Sequence, residues 1–182
     1  MKKYTLTASL LSTFFISSVF GQGLSGGSAI TSIPVNARVA QACTITTVTG
    51  LNFSNYDPVN INSVTPLNST GQISIACTKG STSVSVGLDY GKTSNGTQRS
   101  MVGTASAGTL LYNVFQPPST TPGVACTFPG TIAWGPASSS SLTLATAPNS
   151  LIRLYSICGT IPSNQNVAAD AYSDTITATI NF

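Results

Sequence analysis

The residues able to do acid–base or covalent chemistry in this 182-residue chain are few. There are four aspartates, Asp57, Asp89, Asp170 and Asp174, and four cysteines, with neither histidine nor glutamate. Without histidine there is no Ser–His–Asp triad, no Cys–His dyad and no imidazole metal centre. Two aspartates could in principle hydrolyse a glycoside or a peptide, given environments that push their pKa values apart. Their contexts point elsewhere: Asp57 precedes Pro58 in a turn, Asp89 closes an apolar strand pattern, and Asp170 and Asp174 flank the start of the last strand. Aspartate in such places serves backbone N–H groups. The chain is therefore expected not to be an enzyme, and no cofactor is implied. Trp134 could stack on a sugar, although a lone tryptophan in a β-rich chain is more often core. Arg153, among Leu151, Ile152 and Leu154, is expected to face outward from a strand.

The cysteines, Cys43, Cys77, Cys126 and Cys158, contain no C-x-x-C pair, so a zinc site is disfavoured. An even count in an exported chain reads as two disulfides. Three connectivities are open, of which Cys43–Cys77 with Cys126–Cys158 is favoured. Each loop would then be about 30 residues, worth roughly 3–4 kcal/mol in the chain-entropy description. Export is read from residues 1–21, where a Met-Lys-Lys start precedes the short apolar stretch "SLLSTFFISSVF". That order is a signal peptide, with cleavage expected near Gly21. Residues 22–182 then carry Arg38, Lys79, Lys92, Arg99 and Arg153 against the four aspartates. Such a balance implies neither a nucleic acid nor an anionic membrane surface as partner. Charge this sparse, against about 25% in an ordinary domain, leaves a Ser-, Thr- and Asn-rich surface. Copies can pack on such a surface without burying unpaired charge.

These residues must be positioned by strands. In "AYSDTITATINF", Ile176, Ala178, Ile180 and Phe182 alternate with threonines and Asn181, the period of a half-buried strand whose free edge needs a partner. A long strand is expected over "IPVNARVAQACTI", with Ile33, Val35, Ala37, Val39 and Cys43 on one parity. "GQISIACTKG" and "STSVSVGLDYG" read as a hairpin about Lys79-Gly80. Further strands are expected at "TLLYNVFQ", "TIAWG" and "SLIRLYSICGTIP". No ten-residue stretch carries a helical period, so the fold class is all-β, a sandwich of one domain.

Taken together, "VAQACTI", "GLNFSNYDP", "GQISIACTKG", Arg99-Ser100-Met101, "LLYNVF", "AWG", the Ile-Pro-x-x-Gln of Ile161 to Gln165 and the Ala-Tyr-Ser-Asp of Ala171 to Asp174 resemble the spore coat protein U domain family. That family includes subunits of archaic, Csu-type chaperone–usher pili, and the resemblance spans nearly all of residues 22–182. Two departures stand out. Cys158-Gly159-Thr160 occupies the place of a Tyr-Gly-Arg, and Cys126 with Cys158 adds a pair to the family's Cys43–Cys77 bridge.

The resemblance implies an immunoglobulin-like β-sandwich of pilin type over residues 34–182, incomplete because it lacks its final strand. Residues 22–33 would be an N-terminal leader acting as donor strand, with Leu24, Ile30 and Ile33 as inserted side chains. Ile176, Ala178, Ile180 and Phe182 would line the acceptor groove. The implied partners are a periplasmic chaperone, an outer-membrane usher and other pilus subunits, in a fibre exported through the periplasm to the cell surface for adhesion and biofilm formation. The alternatives are a secreted spore or cell-surface coat protein and a carbohydrate-binding β-sandwich.

Overall fold

The computed structural model describes residues 26–182, and the signal peptide expected over 1–21 and Leu24 lie outside them. The chain divides into a unit Met1–Ala37 and a body Arg38–Phe182. Residues 26–37 carry no regular secondary structure.

The body is built from nine antiparallel-paired strands: β1 (Cys43–Thr49), β2 (Leu67–Cys77), β3 (Ser85–Leu88), β4 (Arg99–Gly103), β5 (Thr109–Phe115), β6 (Leu142–Thr143), β7 (Arg153–Ile161), β8 (Tyr172–Ser173) and β9 (Ala178–Asn181). A six-stranded sheet runs β1-β2-β7-β5-β4-β8, and a three-stranded sheet runs β6-β3-β9. Their inner faces carry the alternating apolar residues that the period of two puts on one side. Ile73 and Ile75 of β2 and Tyr155 and Ile157 of β7 meet Val86 and Leu88 of β3 and the fully buried Trp134. Each such aliphatic side chain contributes about 1.5–3 kcal/mol on burial.

Four sequence expectations change. The long strand over 33–45 is shortened, because ladder bonds begin only at Cys43, and Ile33, Val35 and Val39 lie exposed. β2 and β3 are not a hairpin. Between them Gly80 and Ser83 take positive φ, and the Gly80 N–H bonds the Ala147 carbonyl at 2.8 Å, so the chain crosses from one sheet to the other. Periodicity reports which face a residue occupies and is blind to which sheet it joins. "TIAWG" supplies only a bridge at Ala133 to Phe115. Arg153, expected to face outward, shares the inward parity of Tyr155 and is half-buried, while Leu154 is the outward residue.

The aspartates do the turn work their contexts indicate. Asp170 accepts from the Ser106 and Ala105 N–H groups at 2.7 and 2.9 Å and from the Ser106 hydroxyl, and these bonds hold it well below the usual carboxylate range. Asp57 is lowered by the Asn60 side chain and by the Asn60 and Val59 N–H groups. For Asp89, burial works against ionisation, but the bonds from Thr177 and Gly91 and the nearby Arg99 charge outweigh it, and its pKa also falls. Groups lowered in the folded state stabilise above their unfolded pKa of about 3.9, and that contribution is lost as pH falls through the folded value. With no histidine in the chain, the urea midpoint is expected to stay level from about pH 5 to 8 and to drop below about pH 4. A transition centred near pH 6 would contradict this assignment.

Candidate strand-acceptor groove

The two sheets do not meet along one side. β9 bonds β3 through one edge, with Val86 opposite Ile180 and Leu88 opposite Ala178. Among the described residues, no strand pairs with its other edge. Across the opening stands β1, whose inward parity tells the same story. Cys43 and Ile45 are half-buried, but Thr47 and Thr49, on the same face, are exposed. Likewise Ile176, Ala178 and Ile180 are only half-buried, where Ile73, Ile75 and Cys77 of β2 are fully covered.

Between these edges lies a cavity of about 360 Å³, walled by Thr47 and Thr49 on one side and by Ile176 and Ala178 on the other, and floored by Ile73, Leu88, Tyr112 and Ile157. Leu51 and Phe53 form its rim, seated over Gly159. A Cβ there would come within 2.9 Å of both side chains, so this position has a packing reason to be glycine. Phe53 meets Tyr112 edge to face at 6.4 Å. A second cavity of about 760 Å³, reached past the shared Phe53 and Met101, continues along Tyr56, Val167 and Tyr172.

One end of the groove is polar. Asp174 lines it, accepting from the Tyr112 hydroxyl at 2.7 Å and the Lys92 N–H at 2.9 Å. Burial and then the Asp174 carboxylate push the Tyr112 phenol far above its ordinary value, so it stays a neutral donor. Behind it Arg99, 4% exposed, aims its guanidinium at three carbonyls: Trp134 at 2.7 Å, Leu88 at 3.1 Å and Asp89 at 3.0 Å. Burial lowers its pKa, against the opposing pull of Tyr112, Tyr90, Asp89 and Asp174. Trp134 donates its indole N–H to the Val86 carbonyl at 2.8 Å. Arg99 and Trp134 thus link the two sheets away from the open side. Both oxygens of Asp174, the aspartate that lines the groove, accept from N–H or O–H donors. Trp134, with no exposed surface, cannot stack on a sugar.

Of the residues singled out from sequence, Ile176 and Ala178 line the cavity, Ile180 continues their parity, and Phe182 is 56% exposed. Ile30 and Ile33 are exposed. Disulfides join Cys43 to Cys77 and Cys126 to Cys158. The first ties β1 to β2 at a directly paired position, and the second ties the 116–134 segment to β7. The sequence reading gave no role to Thr47, Thr49, Leu51, Phe53 or Tyr112, and none to Arg99 beyond its tripeptide. The legible signal for Arg99 is an arginine among strand residues in a chain with almost no charge. Gln165, of the Ile-Pro-x-x-Gln motif, bonds both the N–H and the carbonyl of Leu111 at 2.8 and 2.9 Å, on the side of β5 where pairing with β7 has ended at Asn113.

Comparison with known proteins agrees with this geometry. The chain is 34% identical over 157 residues to Protein U of Myxococcus xanthus, covering 80% of each. Its fold is similar to that in the crystal structure of the CsuC–CsuE chaperone–tip adhesion subunit pre-assembly complex from archaic chaperone–usher Csu pili of Acinetobacter baumannii, with a TM-score of 0.52 and 20% identity over 79% of this chain. It spans only 40% of that solved chain. Residues 29–179 match the Spore Coat Protein U domain. With an all-β sandwich open along β9, and with that match over most of its length, the chain belongs to the spore coat protein U domain family.

Proposed function

We propose that this protein is a structural subunit of a cell-surface pilus, exported after removal of a signal peptide over residues 1–21, held by a periplasmic chaperone and assembled at an outer-membrane usher by donor-strand exchange. The observation that carries the reading is the cavity between β1 and the unpaired edge of β9. An extended segment laid there gains main-chain bonds from the edge and seats alternate side chains in the apolar floor. The donor comes from the N-terminal part of the next subunit. Donor and acceptor surfaces therefore differ, and the contact propagates as an open filament. Adhesion and biofilm formation are the roles such a fibre would serve. The family is not one of enzymes. The family description also favours a second reading, a coat protein using the same groove to assemble on a spore or cell surface.

The test is export of the full chain with and without a pilus-type chaperone. The expected result is a one-to-one complex with the chaperone, and multimers or degradation without it. Linear fibres after addition of an usher favour the pilus, and sheets favour the coat. A chain that is a stable monomer, indifferent to the chaperone, would overturn both readings.

A further inference from the structure

We propose that the strand this chain lends to a neighbouring copy is residues 33–39 rather than residues 22–33, with Ile33, Val35, Ala37 and Val39 seated in the groove beside β9 of that copy. The inference rests on the strand-exchange reading above and concerns which residues make the exchange.

Residues 22–33 are poorly made for a strand. Gly23, Gly26 and Gly27 among Ser25 and Ser28 have low strand propensity. Ile30 and Ile33 are an odd number of residues apart and would point to opposite faces. Residues 33–39 have the opposite character. Ile33, Val35, Ala37 and Val39 share one parity, while Pro34, Asn36 and Arg38 share the other, an apolar face backed by a solvent face. Ile33, Val35 and Val39 are 79%, 91% and 81% exposed, a row of β-branched side chains left unburied among the described residues.

The acceptor has the same dimensions. Ile176, Ala178, Ile180 and Phe182 are four same-facing residues over a seven-residue span, as are the four donors. Both run roughly 20 Å when extended. The missing N–H of Pro34 falls on the ladder edge shared with Asn36 and Arg38, so the edge served by Ile33, Val35, Ala37 and Val39 keeps every bond.

The body also marks where the donor must end. Attachment of this region to its own domain starts one residue after Val39: the Ala40 carbonyl accepts from the Thr78 hydroxyl at 3.2 Å, Gln41 donates to the Thr82 carbonyl at 3.1 Å, and Ala42 exchanges backbone and side-chain bonds with Thr78. Residues 33–39 precede these ties and are free to enter another copy while residues 40–42 stay in place.

The experiment compares full chains carrying, after Phe182 and a short flexible linker, a second copy of either residues 32–41 or residues 22–33. The 32–41 fusion is expected to be a monomer on size exclusion, with Tm about 10 °C above the parent chain, as an effective concentration near a thousand times Kd would give. Val35→Asp with Val39→Asp in the appended copy should cancel the gain, and the 22–33 fusion should behave as the parent. Should the 22–33 fusion alone become a stable monomer, the assignment to 33–39 falls and strand exchange stands. Equal stabilisation by both fusions would likewise overturn the assignment. If neither fusion differs from the parent, the groove takes no strand from this region and the strand-exchange reading falls with it.

Discussion

Replacing Arg99 by alanine is expected to lower stability by about 3–5 kcal/mol, a Tm loss of about 10 °C or more in a domain of this size. The change strips the guanidinium from the carbonyls of Leu88, Asp89 and Trp134. The Leu88 and Trp134 carbonyls are left buried and the Asp89 carbonyl half-buried, and an unsatisfied buried acceptor costs about 1–3 kcal/mol. Arg99→Lys keeps the charge but not the planar fork, so it should recover roughly half of the loss. The effect matters to function because the sandwich is open on one side. β9 hangs on β3, and β3 is tied to the larger sheet through Arg99 on β4 and through the Trp134 indole. Loosening that link lets the smaller sheet shift and changes the width of the groove. A urea titration reads the result. A loss below about 1 kcal/mol would mean that water reaches those carbonyls and that the link is not structural.

Ala178→Phe should separate folding from assembly by moving them in opposite directions. Ala178 is half-buried on β9, paired with Leu88, and its methyl lines the cavity. A phenyl ring there occupies the space an incoming side chain needs, while the β9–β3 ladder is untouched. Affinity for a donor-strand peptide is expected to fall at least about 100-fold, equivalent to about 3 kcal/mol, as at the centre of other strand and interface contacts. The same ring buries apolar surface in an otherwise unfilled groove, worth about 1–2 kcal/mol, so the unassembled chain should melt about 3–5 °C higher. Peptide titration and thermal unfolding on one preparation check both signs. Unchanged peptide affinity would show that the donor does not pass Ala178. A lower Tm would show that the cavity is too narrow to be a strand site.

Part of this was legible in local pattern. Alternation in 175–182 gave a strand with one covered and one exposed face, and that is how Ile176, Ala178 and Ile180 lie. The aspartates at turn and strand-end positions, the core tryptophan and the even cysteine count are also matters of residue type and neighbours. Other features lie beyond any local pattern. β2 and β3 carry alternation that a hairpin would satisfy equally well, and Gly80 and Ser83 send them to different sheets. The alternation of residues 33–39 and of β1 looks like one strand. Only the first ladder bond at Cys43 separates a segment that pairs within the domain from one that does not.

Composition, alternation and turn chemistry by themselves determined that this is a charge-poor, all-β chain with its aspartates at turns and strand ends, because those properties depend on residue identity and on neighbours one or two positions away. The tertiary structure alone decided where the sandwich stays open, that Arg99 is the buried link between its sheets, and that Leu51, Phe53 and Gly159 shape the rim of the groove. Those outcomes arise from residues tens of positions apart meeting across two sheets. Such a meeting is fixed by register and packing, which no window of the sequence contains.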